Sequence, residues 1–538
     1  MLKTKYIGRP WIDIILTAIS ATLLILTFPK SEMYYLAYVA LVPLILIIKR
    51  SGPLKAFIYS LSAGLIFYTQ FLWWLLSTDG VNPFNFTLGV FLKACYPGLF
   101  GLLACYLQKK KPRWNIITFP STWVIIEFMR SHISFLSTPW GILGYSQYSV
   151  LPVVWISSFT GVYGISFLIV MVNTIIAEII DAYLLSTQVE VQGKAYSLGI
   201  KKTSLGILTG ILILFGLHAL SYTEEGSTPK LKVALVQGNV YWNNKYWSEK
   251  YKNDTSYREG IFQKYSLLSR EVAGFKPDLI LWPSSSVPGK MPYERTRVKM
   301  LSDLAQETKS FLLVGSSGFD KFNPEQRQTL RLSNSAFLFS PQGKILDRYD
   351  KIRLLPFDEY LPFRRIIKWP SWIASDMIDS LPGKRKTIFN MDNVRFAVLI
   401  CWENMFPEQF REMAVKGVQF MVSMTNEGFT KVPIGHYQML AVNVLRAVEN
   451  HIAIARISST GVSCIIEPNG RIVDRVKDRN LNDVDVEGYL IGQVPLSSER
   501  TFYNRHGDLF VYSLSTILAF FFLKIIISRI NFRGRKSS

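Results

Sequence analysis

Phe396-Ala397-Val398-Leu399-Ile400-Cys401-Trp402-Glu403 is the stretch whose reading decides the fold. Five consecutive apolar residues, Phe396 to Ile400, read as a buried strand. A cysteine at the exit of such a strand, before a turn into a helix, projects from a sheet edge. Amides at the N-terminus of a following helix would stabilise its thiolate and lower its pKa. A buried structural cysteine fits the same residues equally well.

Working outward, similar β-like runs occur at 231–237, 278–282, 311–315, 335–340, 418–425, 452–458 and 462–467. Pro468-Asn469-Gly470 joins the last of these to 471–476 as a hairpin. Helical patterns at 257–273, 295–309, 405–415 and 434–450 lie between the strands. The alternation predicts an α/β sandwich over residues 230–500.

The rest of the chain is of another kind. Of 538 residues 49% are apolar, and the long charge-free runs crowd into the first 222 residues and the last 30. A membrane-spanning helix needs about 20 mainly apolar residues. The runs at 11–28, 33–49, 56–76, 87–107, 115–133, 160–181, 204–222 and 508–528 predict about eight spans. Residues 1–222 then form a multi-pass α-helical membrane domain of seven helices, 508–528 a final span and 529–538 a basic tail.

Lysines and arginines cluster before the first span, between the second and third, after the fourth, before the seventh and at 529–536. The short alternate loops hold only Lys30 in the first and neither Lys nor Arg in 77–86 or 134–150. By the positive-inside rule both chain ends are cytoplasmic and 223–507 lies outside. Phe28-Pro29-Lys30 makes a poor cleavage site, so the first span is not expected to be a removed signal peptide.

The net charge of +21 lies in these short clusters and accompanies no nucleic-acid motif, so no nucleic acid is expected as partner. Four cysteines without metal-like spacing do not make a disulfide framework. Five scattered histidines and the lack of a nucleotide loop imply neither metal nor cofactor. A transporter places its polar site within broken helices, whereas here the recognisable motifs lie in the outer domain.

Lys351 and Glu359, each taken alone, read as solvated surface charges. The strings YDKIRLLPFDEYLPF (349–363), ICWEN (400–404) and TNEGF (425–429), followed by His436-Tyr437-Gln438 and Arg446-Ala447-x-Glu449, change that reading. They resemble the signatures of the carbon–nitrogen hydrolase, or nitrilase, superfamily. With the membrane section, including Trp123, Glu127, Arg130, Pro139-Trp140-Gly141 and Gly144-Tyr145-Ser146-Gln147, the whole chain resembles the apolipoprotein N-acyltransferase family. Glu127 and Arg130, three apart on one helical face, are expected to pair with each other.

The resemblance implies a nitrilase-like αββα sandwich on the periplasmic side of a bacterial inner membrane. It implies transfer of an acyl chain from a phospholipid, through a Cys401 thioester, to the α-amine of a diacylglyceryl-cysteine apolipoprotein. Cys401 would be the nucleophile, Lys351 the oxyanion stabiliser, and Glu359 and Glu403 supporting acids. Trp282, Trp402, Phe429 and His436 would contact substrate.

Three positions depart from the family. Its general-base glutamate follows a Trp-Pro pair, and after Trp282-Pro283 this chain has Ser284. Serine is a neutral hydrogen-bonding group near pH 7, and a positioned general base is worth about 10²–10⁴-fold in rate. Asp358 stands where glycine is usual and adds a carboxylate. Glu427-Gly428-Phe429 replaces Asp-Ala-Trp-Phe. Two alternatives therefore stay open: a weakened or inactive paralogue that binds lipid or lipoprotein, and a membrane-anchored amidase. Apolar residues near Trp369, Trp372, Ile373 and Met377 would form either a membrane-dipping flap or a core helix.

Overall fold

The computed structural model describes residues 10–78, 81–110, 114–133, 137–186, 228–241, 254–319, 332–370 and 379–534. The apolar runs form helices because a helix satisfies its own backbone groups where water is scarce. These are α1 (Pro10–Leu26), α2 (Val42–Arg50), α3 (Pro53–Leu72), α4 (Pro83–Lys110), α5 (Asn115–His132) and α6 (Val162–Ser186).

Among the described residues three helices are long and apolar enough to cross a membrane: Pro53–Ser77, Pro83–Lys110 and Val162–Leu184. Pro10–Leu26, Leu151–Thr160 and Leu509–Ile525 are shorter apolar helices. The expected run at 204–222 lies outside the described residues. The run at 33–49 is not one helix but a 3-10 turn, a single α-turn and α2. Pro43, at the start of α2, has no N–H with which to continue the preceding turn. Asn173 of α6 seals the break: its Oδ1 accepts from Leu41 N–H at 2.8 Å and its Nδ2 donates to Ala37 C=O at 2.7 Å.

Glu127 and Arg130 on α5 are both buried, yet they do not form the expected pair. The loop after α5 folds back over the helix and its backbone groups take both side chains. Glu127 accepts from Leu143 N–H at 2.8 Å, and Arg130 Nη1 donates to the carbonyls of Trp140 and Thr138. Buried backbone polar groups must find partners, and here they outcompete the ion pair.

The α/β domain has two sheets. The first contains β1 (Lys230–Gln237), β2 (Leu279–Leu281), β3 (Val287–Met291), β4 (Phe311–Phe319), β5 (Leu332–Phe339) and β6 (Ile345–Asp350). The second contains β7 (Phe389–Met391), β8 (Val394–Ile400), β9 (Phe420–Met424), β10 (Ala453–Ile457), β11 (Cys464–Ile466) and β12 (Ile472–Arg475). β13 (Gly488–Pro495) returns to the first sheet, antiparallel to β1.

The strand orders are β13-β1-β2-β4-β5-β6, with β3 beside β4, and β12-β11-β10-β9-β8-β7. In each sheet three central strands run parallel, β1-β2-β4 and β8-β9-β10, and antiparallel strands close the edges.

Side-chain alternation separates the layers. Leu279 and Leu281 join the core shared with the second sheet, whereas Ile280 and Trp282 face the core under α7 (Thr255–Ala273) and α8 (Arg295–Thr308). On the other side α9 (Pro407–Ala414) and α10 (Ile434–Asn450) cover the second sheet. The apolar core runs on through α10 into the membrane-type helices, and α11 (Leu509–Gly534) leads back to them. The four missed strands, β3, β6, β7 and β13, are short or polar segments whose pairing depends on distant partners, so little local pattern marks them.

Candidate active site

β8 ends at Ile400, and Cys401 opens a five-residue 3-10 turn, Cys401–Met405. Its φ of +52° lies in the left-handed region that a side chain populates at a cost of about 1–2 kcal/mol. The sharp bend is fixed from within the turn. Asn404 Nδ2 donates to the carbonyls of Leu399 (3.3 Å) and Cys401 (3.1 Å), and Ile400 N–H donates to Glu403 at 2.9 Å. Burial pushes the Cys401 thiol up to about 11. Lys351 opposes that shift, while Glu359, Glu427 and Asp358 add to it. The lowered pKa expected from a helix N-terminus is therefore not realised, because a short 3-10 turn follows the strand and desolvation outweighs the nearby cation.

Lys351 follows β6 on the same face as Tyr349, directed between the sheets. It is buried, and its Nζ donates to Glu359 Oε2 at 2.7 Å. Burial works against its charge, but Glu359 and then the Cys401 thiol favour it, so the ammonium form is held. The same Glu359 oxygen accepts from Leu355 N–H at 2.7 Å, which anchors the turn that carries it.

Glu403 is fully buried and accepts from Tyr349 Oη (2.8 Å), Ile352 N–H (2.8 Å), Arg353 N–H (3.1 Å), Ile400 N–H and Gln409 Nε2 (2.6 Å). One carboxylate thus ties the turn after Cys401 to the segment after Lys351. Burial raises its pKa, and the Ile400 N–H and Lys351 oppose the shift.

Ser284 is buried beyond the end of β2, and its Oγ donates to Asn334 Oδ1 at 3.1 Å. The Asn334 carbonyl accepts from Lys351 N–H at 2.8 Å, so β5 connects the serine to the lysine. Trp282 is a correction. Period-2 alternation turns its ring outward from the sheet sandwich, where it stacks on Tyr265 and donates from Nε1 to Ser269 at 2.8 Å. A fully enclosed ring with its N–H satisfied is a core residue and offers no face to a substrate.

Trp402 and Phe429 belong to an aromatic wall to which the membrane-type section contributes half. Trp402 lies 5.9 Å from Trp140, Trp140 lies 5.4 Å from Trp74, and Trp74 lies 6.3 Å from Phe429 (ring centroids). Gln438 Oε1 accepts from both Trp140 Nε1 (2.9 Å) and Trp74 Nε1 (3.3 Å). Ser77 and Thr430 hydroxyls meet at 2.9 Å across the same boundary. His436 is enclosed behind this wall, its Nδ1 3.0 Å from Glu427 Oε2. Glu427 also binds Arg456, and although burial alone would raise its pKa, that arginine and His436 hold it below the usual range.

Trp74 and Arg456 escaped the sequence reading, and Gln438 and Glu427, although they stand in the strings that carry the resemblance, have no role assigned there. Only contacts made by the fold mark them, across 364 residues for Trp74 and Gln438 and across 29 for Glu427 and Arg456. Of the proposed flap, Ile366 and Ile367 are exposed. Trp369 packs edge-on against Phe357 and donates to Pro362 C=O. Trp372, Ile373 and Met377 lie outside the described residues. No group of three or more His, Cys, Asp or Glu side chains able to hold a metal occurs among the described residues.

Two family models match in tandem: the apolipoprotein N-acyltransferase N-terminal domain over 20–175 and the carbon-nitrogen hydrolase over 232–503. The chain is 33% identical over 511 residues to an apolipoprotein N-acyltransferase of Geobacter metallireducens, covering 93% of each chain. It is 27% identical over 491 residues to apolipoprotein N-acyltransferase 2 of Treponema denticola, covering 86% of this chain and 87% of that one. It is 26% identical over 531 residues to an apolipoprotein N-acyltransferase of Chlorobaculum tepidum, covering 94% of each. Joined to a cysteine turn braced by Glu403 and faced by a Lys351–Glu359 pair, these matches place the chain in the apolipoprotein N-acyltransferase family.

Proposed function

We propose that this chain N-acylates lipoproteins, moving an acyl chain from a phospholipid to the α-amine of a diacylglyceryl cysteine through a thioester on Cys401. The observation that carries the reading is the buried Lys351–Glu359 pair beside a cysteine held in a left-handed bend. In this scheme the Cys401 thiol loses its proton and the sulfur attacks the ester carbonyl. Lys351, with N–H bonds beyond the one to Glu359, stabilises the oxyanion as it forms. The carbon–oxygen bond breaks, lysophospholipid leaves, and the acceptor amine then attacks the thioester and returns the thiol.

Ser284 bears on the first step. With the thiol near 11, roughly one molecule in 10⁴ carries the thiolate at pH 7. A serine bonded to Asn334 supplies no base to raise that fraction. The reading is therefore of a slow acyltransferase whose rate follows thiol ionisation, and the weakened-paralogue alternative is its limiting case. The topology that suits this chemistry puts residues 223–507 at the periplasmic face of a bacterial inner membrane, with about eight spans. There both the lipid donor and the lipid-anchored acceptor are close at hand.

Intact-mass measurement of the purified protein in phospholipid should reveal an acyl adduct that hydroxylamine removes and Cys401→Ala abolishes. Absence of any adduct, even at pH 9, defeats the proposal. Release of free acid or ammonia from small amides in its place supports the amidase alternative.

A further inference from the structure

Lys93 of α4 and Arg130 of α5 converge on one residue. Lys93 Nζ donates to Thr138 Oγ1, and Arg130 Nη1 donates to Thr138 C=O and Trp140 C=O. Neither cation forms an ion pair among the described residues, and α4 is one of the helices apolar enough to cross a membrane. Glu127, the nearby carboxylate, accepts from Leu143 N–H through Oε1, while its Oε2 is buried without a hydrogen-bond partner among the described residues and borders the same cavity as Arg130. Two basic side chains thus lie close together in apolar surroundings, where the charged form of either is costly without an anion beside it.

The guanidinium is also only half used. Nε and Nη2, the edge that grips a phosphate or carboxylate by two parallel hydrogen bonds, have no protein partner among the described residues. Arg130 borders an apolar cavity between α1, α3, α4 and α5, lined by Phe28, Phe67, Tyr68, Phe100 and Trp123. The Tyr68 ring centre lies 5.7 Å from the guanidinium carbon. The carbonyl that Arg130 holds belongs to Trp140, whose indole lies 5.9 Å from Trp402, the neighbour of Cys401. The half-used cation is thus one aromatic ring away from the nucleophile turn.

We propose that Arg130 and Lys93 bind the phosphate of the acyl-donor phospholipid and that the apolar cavity takes one of its acyl chains. The assignment rests on the donor reading above. A phosphodiester matches the bidentate arginine edge and the neighbouring Lys93 amine, which an anion would hold protonated, and its acyl chain matches the apolar walls.

Binding and chemistry are tested separately. In the first arm, Cys401→Ala protein is freed of lipid and supplied with phosphatidylethanolamine or with diacylglycerol of the same chains, and retention is read by native mass spectrometry. Phosphatidylethanolamine should be retained at least tenfold better. Lys93→Met should remove most of that preference, Lys93→Arg should restore it, and Arg130→Lys should weaken it while keeping the charge. Equal retention of the two lipids, or a preference indifferent to Lys93→Met, overturns the proposal.

In the second arm, wild-type protein carries labelled phosphatidylethanolamine and is chased with unlabelled lipid. Label should pass to Cys401. If label stays in intact lipid while unlabelled chains reach Cys401, the site holds a resident lipid and the donor assignment falls. If no chain reaches Cys401 from any source while retention remains phosphate-dependent, the phosphate site stands and the acyl-transfer reading fails.

Discussion

In the proposed mechanism a hydroxyl at position 284 stands where a carboxylate would take the proton from the thiol, and the consequence is measurable as a pH profile. The Cys401 thiol sits above its ordinary value because burial disfavours the thiolate more than Lys351 favours it. The rate of Cys401 acylation should therefore climb about tenfold per pH unit from 6 towards 10, as expected of a nucleophile with a pKa near 11 and no base. Stopped-time intact-mass measurements follow this directly. Ser284→Glu should raise the rate at pH 7 by about 10²–10⁴-fold and flatten the profile above the pKa of the new carboxylate. A loss of rate on that substitution would mean instead that the pocket has been rebuilt around the Ser284–Asn334 hydrogen bond.

Glu403 is a buried acceptor that braces the site. Five donors converge on it, so Glu403→Ala should cost about 3–5 kcal/mol, since backbone N–H groups of Ile352, Arg353 and Ile400 lose a buried acceptor. Thermal unfolding should report the loss even in a protein already carrying Cys401→Ala, which removes any contribution from reactivity.

At the scale of elements, the site is made where strand ends meet helices from another part of the chain. The strand that leads to Cys401 was legible because its five apolar residues, Phe396 to Ile400, are contiguous. The parallel central strands read equally well, being buried on both faces. β13 and β6 were not legible: Gly488–Pro495 and Ile345–Asp350 carry polar residues on their outer faces and gain their place only through β1 and β5. The same limit hid the role of Gln438, which stands in the His436-Tyr437-Gln438 string but whose partners lie hundreds of residues away. In the fold it fastens α10 to two tryptophans of the membrane-type section. Gln438→Leu should leave both indole N–H groups buried without an acceptor and cost about 2–4 kcal/mol. It should also loosen the wall beside Trp402, seen as a shift and broadening of tryptophan emission. Emission unchanged from wild type, with unchanged thermal stability, would show that the wall holds without the glutamine.

At the scale of the whole molecule, the outer domain and the apolar helices are one packed body. α10 is buried on nearly every face, enclosed by the second sheet on one side and by the membrane-type section on the other. At that junction Glu449 accepts from the amide of Val162 at 2.8 Å and from Arg446 Nη2 at 3.0 Å, and Arg446 also reaches the Tyr145 hydroxyl. Both charged groups are inaccessible to solvent. Breaking such a pair from one side leaves an uncompensated buried charge, at a cost of about 3–5 kcal/mol. Glu449→Gln keeps the shape and removes the charge, so it should lower the melting temperature of the full-length protein. Glu449→Gln with Arg446→Met should recover part of the loss, because no lone charge then remains. A double variant no more stable than the single one would show that the Val162 amide, rather than the ion pair, is what the junction needs. For the same reason residues 228–507 expressed alone should expose the apolar outer face of α10 and self-associate, which light scattering would detect. A soluble monomer of that fragment would mean that the aromatic wall and the nucleophile turn can be held in place without the helices that supply Trp74 and Trp140.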